Sequence, residues 1–429
     1  MTKNYELKTL GSAATYINGR AFKPSEWEST GLPIVRIQNL TDKNAKCHYS
    51  SAAYEEKYKI HNGDLLFAWS ASLGAHIWNQ NDAWLNQHIF KVIPNDNIDK
   101  LYLYYYLQKV IAELYLKTHG SGMVHITKGP FMNTSIPVPS YTEQSRIVAH
   151  IEELFSELDK AVGTLKTTKE QLEVYRQAVL KAAFEGKYTK WWRKNHNVSA
   201  NEEYCELRKE NQVFKDTSGD ENELSLNIPD EWMKVRLGEI FDVEVGATPS
   251  RQHAEYWNGS IPWVSSGEVR FTTINKTREM ITDIGLKNAS TNLQPIGTVL
   301  LAMIGEGKTR GQSAILNIPA AHNQNTAAIL VSKTLCQPKY IYYFLQLNYE
   351  NTRRVGSGNN QKALNKERVR AIRVPFAPIA EQSIIVKEIE KRLSICENIE
   401  QTVNTALAQA DAMRQSILKQ TFEGKKDVY

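Results

Sequence analysis

Gln177-Ala-Val-Leu-Lys-Ala-Ala-Phe-Glu-Gly-Lys187 returns as Gln415-Ser-Ile-Leu-Lys-Gln-Thr-Phe-Glu-Gly-Lys425, with Phe184 and Phe422 lying 238 residues apart. The same offset, without a gap, carries Glu143-Gln-Ser145 onto Glu381-Gln-Ser383 and Pro137 onto Pro375. Between those anchors the apolar positions step by four and three. The first copy runs Ile147, Ile151, Leu154, Leu158, Ala161, Leu165, Thr168, Leu172, Tyr175, Val179. The second runs Ile385, Ile389, Arg392, Cys396, Ile399, Val403, Ala406, Ala410, Met413, Ile417. So narrow a stripe is the seam of a coiled coil, not the broader face of a surface helix. Neither helix can bury it alone, so two in one chain predict that they pair with each other. Thr168 and Arg392, polar on the stripe, are expected to fix register at some cost in stability.

At 429 residues and 41% hydrophobic, the chain has material for more than one domain. It contains no run of about 18 apolar residues, and Met1-Thr-Lys-Asn4 is no apolar signal segment. A soluble, cytoplasmic protein is expected. Cys47, Cys205, Cys336 and Cys396 are scattered without CxxC spacing, which argues against disulfides and zinc. The ten histidines are isolated, so no metal cluster is expected.

Charge is unevenly distributed. Residues 1–140 carry 14 Lys/Arg against 11 Asp/Glu, residues 229–378 carry 18 against 12, and the remainder carries 20 against 24. The positive excess on the two globular stretches suits nucleic-acid contact without demanding it.

In order, residues 1–140 read as a mixed domain. Its β-rich runs are Leu32–Asn39, Asp64–Trp69 and His88–Ile93, and a helix follows over about Lys100–Lys117. Pro137 and Pro139 end an extended segment before the long helix of 141–186. Residues 187–228 form a polar linker, helical around Asn201–Val213, with Thr217-Ser-Gly-Asp-Glu-Asn222 in its middle. Trp191 and Trp192 are read as a hydrophobic lock on the chain's own helix. Residues 229–378 form a second domain and 379–429 the second long helix.

The second domain repeats the plan of the first with different content. Gly297-Thr-Val-Leu-Leu-Ala-Met303 answers Gly63-Asp-Leu-Leu-Phe-Ala-Trp69, and Asn323-Gln-Asn325 answers Asn86-Gln-His88. Tyr340-Ile-Tyr-Tyr-Phe-Leu-Gln346 answers Tyr102-Leu-Tyr-Tyr-Tyr-Leu-Gln108, and Gly356-Ser-Gly358 answers Gly120-Ser-Gly122. The helical spacing and recurrence of these tyrosines favour a core face over base stacking. The glycine pairs fit either close approach of backbone to phosphate or simple turns.

This layout resembles the specificity (S) subunit of type I restriction-modification systems. Gly246-Ala-Thr-Pro-Ser250 followed by Tyr256-Trp-Asn-Gly-Ser-Ile-Pro-Trp263 carries the resemblance, with the Glu-Gln start and Phe-Glu-Gly-Lys end of each long helix. The first domain departs from it, with Asn18-Gly-Arg-Ala-Phe-Lys-Pro-Ser25 in place of Gly-Ala-Thr-Pro-Ser. The resemblance implies an α+β fold: two similar target-recognition domains separated by two long helices that pair as an antiparallel coiled coil. It implies that each domain reads one half of a split, asymmetric DNA site. The helices would set the gap and dock two methyltransferase (M) subunits, which carry S-adenosylmethionine and methylate adenine. Restriction (R) subunits, using ATP and Mg, would join through that complex. A helix of 45 residues spans about 65 Å and one turn of DNA about 34 Å, so such a rod suits two readers one to two turns apart.

The chain's own residues offer no chemistry. Glu306-Gly-Lys-Thr309 resembles the end of a P-loop, but Ala302 stands where Gly is needed and the position answers a strand-to-strand loop. No Asn-Pro-Pro-aromatic methylation motif, glycine-rich adenosylmethionine loop or nuclease-like acid pair is present. An enzyme with its own methyl transfer or ATPase activity and a coiled-coil scaffold without sequence reading remain the alternatives. Candidate DNA contacts are polar residues on loops, where Arg/Lys reach guanine and Asn/Gln adenine. In the first domain they are Arg20, Lys23, Arg36, Gln38, Asn39, Ser72, His76, Gln87, Ser121, His125 and Lys128. In the second they are Thr248, Arg251, Gln252, Ser265, Ser266, Arg270, Lys308, Arg310, Gln324, Asn359, Asn360, Gln361 and Lys362.

Overall fold

Pro139 and Ser140 stop the strand Ser135–Val138, and the chain turns at once into the helix Tyr141–Phe184, 44 residues long. The Ser140 hydroxyl accepts a hydrogen bond from the Glu143 amide at 3.3 Å, an N-cap. The helix ends at Gly186, whose φ of +66° is the left-handed conformation that glycine adopts without strain. There the Gly186 amide donates to Ala183 O and the Lys187 amide to Ala182 O, each at 3.0 Å, a Schellman closure. The second long helix, Ile379–Glu423, has 45 residues. This computed structural model describes residues 5–42, 44–70, 72–117, 128–210, 225–305, 307–354 and 364–423. They fall into two compact units, residues 1–168 with 402–429, and residues 169–401.

The repeated glutamine at each helix start does the same work twice. Gln144 Nε2 donates to Pro139 O and Asn97 O, and its Oε1 accepts from the Asp99 amide. Gln382 Nε2 donates to Ala377 O, and its Oε1 accepts from the Gln337 amide. Both are fully buried. The glutamate beside each diverges. Glu381 is buried between Arg193, at 2.5 Å, and the Trp232 indole N–H, at 2.8 Å. Glu143 pairs instead with Arg146 on its own helix.

The helices lie against each other within each unit. In the second, Arg176 meets Glu400 at 2.7 Å and the Arg392 guanidinium lies 3.9 Å from the Tyr188 ring, an antiparallel order. In the first, Arg414 pairs with Asp159 and covers the Phe155 ring at 4.6 Å. The seam residues Ile147, Ile151, Val179, Ile385, Ile389 and Val403 are buried, and Leu154, Leu158, Leu165, Leu172 and Ile417 are half-buried. Ile399 and Met413 correct the expected heptad: they are 40% and 55% exposed. The line turned inward on this helix runs 385, 389, 393, 396, 400, 403, 407, 410, 414, 418, 421. Its mean step is about 3.6 residues, the pitch of a straight helix, whereas a strict heptad drifts ~20° per repeat from it. By the fifth repeat Arg414 and Leu418 have taken the places of Met413 and Ile417.

Both globular domains share a sheet order. In the first, Ala14–Asn18, Ile89–Pro94, Leu65–Ala68 and Gly74–Ile77 are neighbours in that sequence, each antiparallel to the next. In the second, Val243–Val245, Thr326–Ile329, Val299–Ala302 and Ser313–Leu316 repeat it, and Thr272–Ile274 adds a parallel edge. A smaller sheet accompanies each. Leu32–Val35 runs parallel to Ala83–Leu85 in the first domain, and Trp257–Val264 runs parallel to Ala321–His322 in the second.

The tyrosine-rich helices, Lys100–Lys117 and Pro338–Leu347, pack as core. Tyr102 and Tyr340 are buried, and their hydroxyls donate to Pro137 O at 2.6 Å and Pro375 O at 2.8 Å. In the linker, Lys190–Asn195 and Ala200–Glu210 are helices. Trp192 is buried and stacks on His196, while Trp191 stays largely exposed, so only one of the two locks the chain. Residues 217–222 lie outside the described residues. Among the described residues no cysteines are bonded, no group of acids, histidines and cysteines could hold a metal, and no helix is long and apolar enough to cross a membrane.

Candidate nucleic-acid interface

Strand direction alone decides which loops meet. In the second domain, Val245 faces Ala327, Ala302 faces Thr326, Leu301 faces Ser313, and Thr272 lies beside Ala314. Residues 246–251, 303–305, 307–312, 323–325 and 270–271 therefore leave the sheet at one end. Val264 lies beside His322 in the small sheet, and the Asn323 amide donates to Val264 O at 3.0 Å, which brings Ser265 and Ser266 to the same end. The first domain repeats this with residues 19–23, 69–70, 72–73, 86–88 and 36–39.

One glycine in each domain makes that crossing possible. A Cβ on Gly19 would fall 2.1 Å from Asn86 O, and one on Gly246 would fall 1.9 Å from His322 O. The residues that follow bond the same way, Arg20 N to Leu85 O at 2.9 Å and Ala247 N to His322 O at 3.0 Å.

In the first domain Arg20 donates to Glu26 at 2.6 Å and lies over the rings of Tyr54, at 4.3 Å, and Phe22, at 4.9 Å. The hydrogen bond to Glu26 raises the Arg20 pKa further, and Arg20 in turn holds the Glu26 carboxyl below its usual range. Asn39 stands in the short helix Ile37–Thr41, not on a loop; it accepts from the Arg36 amide at 3.0 Å and donates to Ala45 O, so it caps that helix. Arg36 covers Trp27 at 5.7 Å, and Trp27 stacks on His48 at 4.0 Å. Burial, then Arg36 and Lys46, push the His48 imidazole down, which keeps it neutral beside those cations. Lys23, Gln38, Ser72 and Gln87 are exposed at this end. His76 sits apart, within the strand opposite Leu66, with its pKa lowered by burial. Ser121 and His125 lie outside the described residues. Lys128 begins the helix Lys128–Met132, and its side chain lies outside the described part.

In the second domain the Thr248 hydroxyl bonds Gln324 at 2.5 Å. Arg251 forms a two-pronged pair with Glu279, at 2.5 and 2.9 Å, and Ser265 donates to Glu268 at 2.9 Å, closing a turn. Gln252 and Arg270 are exposed, and Ser266 is half-buried. Residues 307–311 join two antiparallel strands and precede no helix, so the P-loop likeness ends there. That loop leans on the helix Tyr349–Arg354, where the Tyr349 hydroxyl donates to Lys308 O at 2.5 Å. Arg310 Nη2 donates to Arg353 O at 3.3 Å. Asn359, Asn360, Gln361 and Lys362 lie outside the described residues, but Leu364 N, just after them, donates to Met303 O at 3.0 Å.

Sequence reading missed Arg353, Tyr349, Phe271 and Glu279. Phe271, at φ +50°, meets the Tyr349 ring at 5.1 Å. The Arg353-Arg354 pair ahead of Gly356 was a usable signal for the first two. Nothing local marked Phe271 or Glu279. Taken together, each end presents exposed donors and acceptors on a sheet, with no metal-holding group among the described residues, an arrangement that can bind a polyanion or read base edges.

The type I restriction modification DNA specificity domain matches residues 2–174 and again 229–409. The chain is 25% identical to the EcoBI specificity subunit of Escherichia coli over 97% of its own length and 85% of that protein. It is 22% identical to the MjaVIII specificity subunit of Methanocaldococcus jannaschii over 99% of its length and 93% of the relative. In fold it resembles a chain solved in work on complex assembly and conformational transition of the type I R-M system, with TM-score 0.65, 18% identity and 98% coverage of both chains. It also resembles the HsdS subunit from Thermoanaerobacter tengcongensis, with TM-score 0.52, 18% identity, and coverage of 99% of this chain and 98% of that one.

Proposed function

Because the chain belongs to the type I restriction modification DNA specificity family, we propose that each globular domain reads one half of a split, asymmetric DNA site. The chain supplies recognition and no catalysis. Its paired helices set the gap between half-sites and dock two methyltransferase subunits, which carry S-adenosylmethionine and methylate adenine. Restriction subunits, with ATP and Mg, join through that complex in the cytoplasm.

One observation carries this reading. The same sheet order gathers loops at one end in both domains, yet the residues gathered differ: Arg20, Lys23 and Gln87 in one, Thr248, Arg251 and Gln324 in the other. A common scaffold with two different sets of donors suits two different half-messages. The helices support the spacer role, since 45 residues rise about 65 Å.

The test is single-molecule methylome sequencing of a host that expresses the chain with its methyltransferase subunit. A methylated-adenine motif in two short halves with a fixed gap is expected. A soluble, assembled complex that leaves no new motif would overturn sequence reading and favour a scaffold.

A further inference from the structure

Arg251 is 57% exposed, yet its surroundings fix it. Nη1 and Nη2 each donate to one oxygen of Glu279. The guanidinium lies 3.7 Å from the Trp257 ring centroid and 5.7 Å from that of Trp263. Those indoles hold the backbone on the approach to Arg251: Trp257 Nε1 donates to Ser250 O at 3.2 Å and Trp263 Nε1 to Ala247 O at 3.1 Å. The rings meet edge to face at 5.2 Å, and Trp263 is buried. An exposed arginine has many rotamers to lose on binding, and here that loss is already made in the free protein.

The remaining donors have a definite geometry. A guanidinium carries five N–H groups in a plane. Glu279 takes one from each terminal nitrogen, which leaves the edge made by Nε and the adjacent terminal nitrogen with two parallel donors. That edge matches O6 and N7 of guanine, and it also matches two phosphate oxygens. Charge separates these acceptors. The Arg251–Glu279 pair is neutral as a unit, and a phosphate brought to it meets the Glu279 carboxylate at close range. A guanine edge carries no net charge and meets no such repulsion.

We propose that Arg251 reads a guanine through its Nε edge, and that Glu279 is the positioning residue that aims this edge and withholds the charge from phosphate. The proposal rests on the DNA-specificity reading above and adds the base, the residue and the device that orients it.

The experiment uses the full chain assembled with its methyltransferase subunits. It reads both the methylation motif and the salt dependence of duplex binding. Arg251→Lys and Arg251→Gln should each relax one G·C position in one half-site and leave the other half intact. Affinity for the cognate duplex should fall about 10- to 100-fold, with the slope of log K against log salt unchanged in Arg251→Lys, which keeps the charge. Glu279→Gln should relax the same position while strengthening binding to unrelated DNA, with a slope steeper by about 0.9. An unaltered motif in both Arg251 variants overturns the proposal whatever the change in slope, since a phosphate contact carries no sequence information. A wild-type complex without any split motif is a separate outcome: it overturns the DNA-specificity reading and this proposal with it.

Discussion

Phe184 and Phe422, 238 residues apart, make the same contact in different units. The Phe184 ring meets Tyr340 at 5.0 Å and Phe344 at 5.5 Å, and the Phe422 ring meets Tyr102 at 5.3 Å and Tyr106 at 5.1 Å. Each long helix thus begins after one recognition domain and ends against the tyrosine helix of the other. Phe184 is fully buried and Phe422 half-buried. Phe184→Ala should cost about 3–5 kcal/mol and raise hydrogen exchange in Pro338–Leu347 but not in Lys100–Lys117. Phe422→Ala should reverse that pattern at smaller cost. Equal effects on both helices would refute the separation.

The glycine at each strand crossing permits a sharper test. An alanine at Gly246 must displace the His322 carbonyl, and one at Gly19 that of Asn86. Backbone cannot yield as a flexible side chain can. Gly246→Ala should abolish or relax recognition of one half-site, Gly19→Ala that of the other, and both should still assemble. Methylome sequencing of the two variants reads this directly. Loss of the same half-site in both would contradict the division of labour.

The seam can be checked by charge insertion. Ile399→Glu and Met413→Glu fall on exposed positions and should change stability by less than about 0.5 kcal/mol. Val403→Glu and Ala410→Glu place a carboxylate on the buried line, where an unpaired charge is strongly disfavoured. Those two should lower the unfolding midpoint markedly. A strict heptad predicts the opposite for Met413.

This seam marks where sequence reading stops. The doubled Phe-Glu-Gly-Lys and Glu-Gln anchors made the helices, their ends and their pairing legible, because the repeat is local and gap-free. The drift from 3.5 to 3.6 residues per step is invisible in the letters, since Met413 is apolar and Arg414 is charged, yet Arg414 faces Phe155 and Asp159. At the candidate interface, loop residues such as Thr248, Lys308 and Gln324 could be named because they answer counterparts in the other domain. Glu279 could not: its partnership with Arg251 depends on an antiparallel strand pair 28 residues on, in a stretch with no counterpart motif.

His322 gives a pH prediction. Burial pushes its imidazole down to about 4, against lesser opposing pulls from the Asn323 backbone, the Glu244 charge and the Thr326 backbone. Its folded pKa lies below the ordinary value near 6.5, so the unfolded chain binds more protons between those values. The stability held by neutral His322 is therefore complete above about pH 6.5 and is lost as pH falls toward 4. The shift corresponds to about 3 kcal/mol. Leu85 occupies the matching place in the first domain, beside Val35 as His322 is beside Val264. His322→Leu should remove about one proton from the pH slope of unfolding for residues 169–401, measured by urea titration between pH 4 and 7. An unchanged slope would show that His322 is not the titrating group.

The exposed cations of the second domain should behave unlike Arg251. Lys308 sits on a loop pinned by Tyr349, and Arg270 adjoins Phe271, whose ring rests on the same tyrosine. Lys308 and Arg270 are exposed, and neither has a carboxylate partner among the described residues. Such cations neutralise phosphate and release counterions. Lys308→Ala and Arg270→Ala should each flatten the salt slope by about 0.9 and weaken binding to all duplexes alike, with the methylation motif intact. Tyr349→Phe removes the hydroxyl that holds Lys308 O and accepts from Arg353 at 2.5 Å, so it should loosen the loop and lower affinity less than loss of either cation. A relaxed motif in Lys308→Ala would instead make that residue a base reader.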